Sequence, residues 1–219
     1  MNAASPTAET PDDLAGWIAP GRTAVLIIDM QVDFASPDGV LGAFIDMGAV
    51  APALDAAQGL ADSARAAGVP VIFVGLSTTP ETDSPVWNER LRRRGGDPEV
   101  DAALCRAGRV GSEFYGPKPL PGELVVAKTR YSGFVGTDLD ARLKALGVDT
   151  LVLAGVTTEC CVDSTARDAF DLDYHVFVAA DACAAYEVDL HEASLKVMAL
   201  NSAIVTDTTA IAVAWKGAA

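Results

Sequence analysis

The sequence predicts an α/β protein, a three-layer α/β/α sandwich around a six-stranded, mostly parallel, doubly wound sheet. Three observations predict it. Short, continuous runs rich in Val, Ile and Leu read as strands buried on both faces, the form that parallel strands take. Stretches of helical periodicity separate those runs, so strands and helices alternate along the chain. The 219 residues suit one large α/β domain better than two small ones.

Residues 24–28 (AVLII) form the first strand, with Asp29 at its carboxyl end. Open α/β sheets bind ligands at that rim. An Asp there is either a turn cap or a functional acid. Ser36-Pro37-Asp38-Gly39 is a turn. A helix follows over residues 50–67, with the apolar stripe Leu54, Ala57, Leu60, Ala61 and Ala64, and Gly68-Val69-Pro70 ends it. Residues 71–74 are the second strand, and the β-α-β order implies parallel pairing with a right-handed crossover.

Residues 77–122 break this rhythm with prolines, glycines, Trp87 and the run Arg90, Arg92, Arg93, Arg94. Helical pieces are expected near residues 87–94 and 97–106. A long insertion over the rim usually carries recognition or an interface. The arginines suit a substrate carboxylate, another subunit or a solvated basic face. Trp87 suits packing or substrate stacking.

Residues 123–127 are the third strand, ending in Lys128, which is either electrostatic machinery or a snorkelling surface lysine. Residues 129–134 form a loop with two aromatics, Tyr131 and Phe134. Thr137 caps a helix bearing Leu139, Leu143 and Leu146, closed by Gly147. The apolar run that starts at Leu151 is the fourth strand. Thr157 or Thr158 then caps a helix, Glu159 places an acid in its first turn, and Asp163 and Arg167 are spaced to pair. Cys161 falls at the start of that helix, where free N–H groups and the helix dipole favour a thiolate and an oxyanion. An inert buried thiol is the competing reading. Residues 175–179 are the fifth strand, ending at Asp181. Asp189 and Glu192 make a capping-box-like start for a helix using Leu190, Ala193, Val197 and Met198, and residues 203–205 are the sixth strand.

Composition bounds the function. Half of the residues are hydrophobic, enough for a sizeable core, and the net charge is −14. That charge argues against a nucleic-acid partner and against anionic membranes. Four cysteines without disulfide-type or zinc-type spacing point to a reducing compartment, hence the cytoplasm. No apolar run is long enough to span a bilayer, and residues 1–11 lack the features of a secretory leader. Residues 1–20 are expected to be a flexible arm ahead of a single domain over residues 21–219.

Asp29, Lys128 and Cys161 thus end three strands, and their chemistry is complementary. A thiol needs a base, and a cation nearby holds ionised groups in place. Four stretches carry a resemblance: residues 24–34 (AVLIIDMQVDF), 125–134 (VVAKTRYSGF), 153–169 (LAGVTTECCVDSTARDA) and 178–184 (VAADACA). The chain resembles the isochorismatase-like cysteine hydrolases over nearly its whole length. The resemblance implies that Asp29 is the general base, Lys128 its partner and Cys161 the nucleophile. Cys161 is the match rather than Cys160, because it directly precedes the apolar Val162. It also implies a cis peptide at Val156–Thr157 and an oxyanion hole from the N–H groups of Thr157 and Cys161. Phe34, Tyr131, Phe134 and Trp87 are candidates for the substrate pocket.

Within that family the chain looks most like the ureidoacrylate amidohydrolase and biuret hydrolase branch. The expected substrate is a small carbamoyl or ureido compound, with no cofactor. The resemblance also implies a homo-oligomer, a dimer or tetramer. A nicotinamidase-type metal site is not expected, because His175 and His191 both lie far from the first strand. A streptothricin-type amide or lactam hydrolase and a vinyl-ether hydrolase are the alternatives inside the family. Outside it stand a non-catalytic binder and a redox protein using Cys160 and Cys161. Adjacent cysteines form only a strained disulfide, and there is no CxxC.

Overall fold

A computed structural model describes residues 13–43, 45, 47–101 and 103–217. Six strands form one sheet: β1 (Thr23–Ile28), β2 (Val71–Leu76), β3 (Leu124–Lys128), β4 (Thr150–Val156), β5 (His175–Ala184) and β6 (Ile204–Thr206). Their order is β3-β2-β1-β4-β5-β6, and every neighbouring pair is parallel. The sequence alternates strand and helix because each parallel return needs a crossover. The order reverses beside β1, so the carboxyl ends of β1 and its neighbours open a crevice there.

Side-chain alternation splits the core into two layers. Val25 and Ile27 of β1 and Phe73 of β2 face α3 (Val50–Ala66) and α9 (Thr208–Lys216). Ala24, Leu26 and Ile28 face α6 (Leu139–Ala145), α7 (Asp163–Asp171) and Met198 of α8 (Val188–Asn201). The predicted α3 stripe, Leu54, Ala57, Leu60, Ala61 and Ala64, is buried. At Gly155 the two central strands come close: φ is +148°, and a side chain would run into the Ile28 carbonyl.

Several expectations change. The expected arm extends to residue 20, but Leu14 and Ile18 are buried in the core, and the Trp215 indole donates to the Ile18 carbonyl at 2.8 Å. The turn Leu14–Trp17, capped by Asp13, is therefore part of the packed body. Residues 1–12 lie outside those described. β5 runs past its expected end at Asp181 to Ala184, through a register shift against Leu153/Gly155. α9 was absent from the sequence reading; it starts with Asp207 accepting from the Ala210 N–H at 2.8 Å. Of the two helical pieces expected in the insertion, the first stands at Pro85–Arg93 and the second is shorter than expected, Pro98–Asp101. At the start of α8, Asp189 accepts only from the adjacent Leu190 N–H, so no capping box forms.

The insertion is pinned over the rim. Asp33 accepts from the Cys105 N–H at 2.7 Å. Arg106 grips Asp83 with two hydrogen bonds, 2.6 and 2.8 Å. Gln31 donates to the Leu76 and Ser112 carbonyls and accepts from the Leu76 N–H, each at 2.8 Å. Bidentate and doubly bonded groups of this kind fix geometry as well as adding stability.

Candidate active site

Asp29 leaves β1 in the left-handed region, φ +49°. Asp tolerates this conformation better than most residues, and such positions cluster at functional sites. The turn aims its carboxylate across the ends of β2 and β3. Oδ1 accepts from the Leu76 N–H at 2.9 Å, and Oδ2 lies 2.7 Å from the Lys128 ammonium. Both residues are 1% exposed, which makes this a buried ion pair rather than a surface one.

Lys128, the last residue of β3, uses its three donors on three acceptors. They are Asp29 Oδ2, the Arg130 carbonyl at 2.9 Å and Cys161 Sγ at 3.5 Å. Burial works against its charge, but Asp29 and Cys161 outweigh it and raise the ammonium's pKa. Lys128 is therefore a fixed cation, not the surface lysine that was the competing reading.

Cys161 lies in a wide π-type turn, Thr158–Val162, between β4 and α7. Turns of this kind are rare and recur at functional sites. The Val156–Thr157 peptide ahead of it is cis. The N–H groups of Cys160 and Val162 both close onto the Thr157 carbonyl, at 3.1 and 3.2 Å. Thr165 donates to the Cys161 carbonyl at 2.7 Å and accepts from the Gly133 N–H at 3.0 Å, locking the turn to the loop after β3. Neither threonine makes the predicted side-chain cap, and the Thr158 hydroxyl pairs with the His191 ring at 2.8 Å instead.

The helix start favours a thiolate at Cys161, but its surroundings oppose one. Hydrogen bonding to Cys160 pushes the thiol's pKa up, burial and the Asp29 carboxylate push the same way, and Lys128 opposes them. The proton stays on sulfur until a base takes it.

A cavity of about 260 Å³ opens over this cluster. Lys128, Thr157, Cys160 and Cys161 form part of its lining. Of the predicted pocket residues, Phe34, Trp87 and Tyr131 line it, with the Trp87 and Tyr131 rings tilted against each other at 4.9 Å between centroids. Phe134 does not. Gly133 and Ser132 hold the backbone there, and the Phe134 ring packs against Tyr174 beneath, 5.9 Å between centroids. Of the arginine run only Arg90 reaches the cavity; Arg93 pairs with Glu89 at the surface. Arg130, Glu159 and Tyr186 also line it and were missed as pocket residues. Arg130 and Glu159 stood beside residues already singled out, Tyr131 and Cys161, which was the available signal. Nothing in the sequence marked Tyr186, whose hydroxyl donates to the Phe34 carbonyl at 2.8 Å.

Among the described residues no group of three His, Cys, Asp or Glu side chains is placed to hold a metal ion. His175 packs edge-on against Trp17 at 5.0 Å, away from the cavity. Nor is any helix among them long and apolar enough to cross a membrane.

Comparison with known proteins adds three findings. The isochorismatase domain family matches residues 23–210. The ureidoacrylate amidohydrolase RutB of Pseudomonas savastanoi pv. phaseolicola is 37% identical over 173 residues, 74% of this chain and 71% of that protein. Two crystal structures share the architecture. A cysteine hydrolase from Pseudomonas syringae pv. phaseolicola 1448A has a TM-score of 0.83 at 30% identity, over 93% of this chain and 96% of that one. N-carbamoylsarcosine amidase from Thermoplasma acidophilum has a TM-score of 0.67 at 29% identity, over 85% and 96%.

Proposed function

The chain belongs to the isochorismatase family and is a hydrolase acting on C–N bonds, and from that premise we propose a cysteine-dependent amidohydrolase of small carbamoyl or ureido compounds. One observation carries the mechanism. A buried ammonium, Lys128, touches both the Asp29 carboxylate and the Cys161 sulfur at the cavity floor.

In this scheme Asp29 takes the proton of Cys161, and the thiolate attacks the substrate carbonyl. Lys128 stabilises the negative charge as it passes from the Asp29 carboxylate to the Cys161 sulfur. The oxyanion rests on the N–H groups of Thr157 and Cys161, which stand outside the turn's own bonds to the Thr157 carbonyl. The C–N bond breaks as Asp29 gives its proton to the departing ammonia or amine. A thioester remains on Cys161. Asp29 then deprotonates water, which attacks the thioester and releases carbamate or acid while the thiol regains its proton. The scheme uses no cofactor.

The ureido preference is supported by the RutB relatives, and the cavity's size suits a small ligand. Four free thiols agree with the proposed cytoplasmic setting. The expected homo-oligomer belongs to the same proposal. Leu190, Ala193, Val197 and Leu200 make an exposed apolar row on α8, the kind of surface a second copy covers. Sedimentation velocity showing only monomer would contradict it.

Ammonia release from biuret, ureidoacrylate, 3-ureidopropionate, nicotinamide and a simple lactam tests the substrate class. A ureido or carbamoyl compound is expected to be turned over at the highest kcat/KM. Turnover of nicotinamide or the lactam alone would overturn the ureido assignment and leave the hydrolase class standing.

A further inference from the structure

Four charged side chains line the cavity: Arg90, Lys128, Arg130 and Glu159. Lys128 is committed to Asp29 and Cys161. Two guanidiniums then share the wall with one carboxylate. Arg130 directs one nitrogen at the Thr82 and Thr129 carbonyls, at 3.2 and 2.7 Å. The Arg90 side chain makes no hydrogen bond and no ion pair among the described residues. The chain as a whole carries −14. A local excess of positive charge inside an acidic molecule concentrates a small anion where the overall field would repel it.

Helical spacing explains why Arg90 alone of the arginine run is placed for this. Trp87, Arg90 and Leu91 are three and four residues apart on the helix Pro85–Arg93, so they share the face that lines the cavity. Arg92 and Arg93 fall on other faces, and Arg93 pairs with Glu89. Burial raises the pKa of the Tyr131 phenol, and the Arg90 charge works against that rise. The Cys161 thiol acts on the same phenol. Tyr131 therefore lies within electrostatic reach of both, and one small molecule spans the guanidinium and the sulfur.

Resting on the amidohydrolase reading above, we propose that Arg90 is a specificity-determining residue, its guanidinium holding the carboxylate of a short ureido acid whose carbonyl lies at Cys161. The substrate is then an anionic ureido acid rather than a neutral compound such as biuret. A guanidinium presents paired N–H donors that match the two oxygens of a carboxylate. The carboxylate is remote from the breaking C–N bond. Its contact is the same before and during the reaction, so it acts on KM more than on kcat.

The test compares ammonia release from 3-ureidopropionate and from its neutral isostere 3-methylbutylurea, in which two methyl groups replace the carboxylate oxygens. The wild type is expected to favour the acid by about tenfold or more in kcat/KM. That is the lower end for a hydrogen bond to a charged group, because Arg90 is open to water. Arg90→Ala is expected to shrink the preference below about threefold, through the KM of the acid. Arg90→Lys keeps the charge without the paired donors and is expected to fall between them. Arg90→Glu is expected to invert the preference, because like charges then meet. None of these substitutions removes a hydrogen bond or ion pair that the side chain makes within the described residues, and unchanged circular dichroism is expected for all three. A preference that survives Arg90→Ala and Arg90→Glu overturns the assignment of Arg90 and leaves the ureido reading standing. Equal turnover of the two compounds by the wild type does the same. If the wild type hydrolyses neither compound, the ureido reading and the Arg90 assignment fall together.

Discussion

At the scale of single residues, the site depends on a buried pair of opposite charges. Asp29 and Lys128 are both sealed from solvent, so each needs the other. Lys128→Ala is expected to cost about 3–5 kcal/mol in urea denaturation, because it strands the Asp29 carboxylate in the core. The double variant Asp29→Asn, Lys128→Met is expected to recover much of that stability and no activity. A Lys128→Ala protein as stable as the wild type would show that water or a rotated side chain replaces the ammonium. These residues were legible in the sequence because each ends a recognisable apolar run, β1 buried throughout and β3 half-exposed at the sheet edge. Their pairing was expected from complementary chemistry and from the resemblance rather than from spacing, since it depends on β2 lying between β1 and β3 in the sheet. The size of the barrier to ionising the Cys161 thiol was not legible for a related reason. Sequence position shows the helix start, whereas the pKa follows from Cys160, burial and Asp29 acting through space.

At the scale of elements, the strand ends can converge because β1 and β4 approach closely at Gly155. A side chain there meets the Ile28 carbonyl, and φ +148° is itself unfavourable for any other residue. Gly155→Ala is expected to destabilise by about 3 kcal/mol or more. Gly59→Ala is the control. It lies on the exposed side of α3 with nothing within 4 Å of an added Cβ, and gains about 1 kcal/mol from helix propensity. Equal effects at the two positions would remove the close approach as the reason for glycine. Strands and amphipathic helices were readable because burial on two faces, or on one, leaves a periodic trace. The Pro85–Arg93 helix was expected to within two residues, but its docking was not. It is polar and has no buried side chain, so its place over the cavity rests on anchors distant in sequence, such as Arg106 to Asp83. Phe134 was misplaced because a loop residue's facing is set by Gly133 and Thr165, which no periodicity reports.

At the scale of the whole molecule, buried thiols set an alkaline limit. Burial pushes the pKa of Cys183 up to about 12 and raises Cys105 as well. Each keeps its proton when folded and loses it when unfolded above its ordinary value near 9. The folded state then binds more protons, so stability is complete below about pH 8.5 and falls as pH rises past it. Lys128 acts in the same direction at higher pH, because its folded pKa is raised too. The expected slope is about 1.4 kcal/mol per pH unit for each fully buried thiol. Denaturation midpoints between pH 8 and 10.5 measure it, and Cys183→Ala is expected to flatten the curve by one such contribution. A midpoint that stays level to pH 10 would mean the thiols ionise equally in both states.

The Cys161 nucleophile is tested most directly by ammonia release from 3-ureidopropionate with three proteins: wild type, Cys160→Ala and Cys161→Ala. Both cysteines line the cavity, and only Cys161 lies against Lys128. Cys160→Ala is expected to keep activity within about tenfold of the wild type, whereas Cys161→Ala falls to the uncatalysed background. Activity retained by Cys161→Ala, or lost only in Cys160→Ala, would contradict the proposed nucleophile.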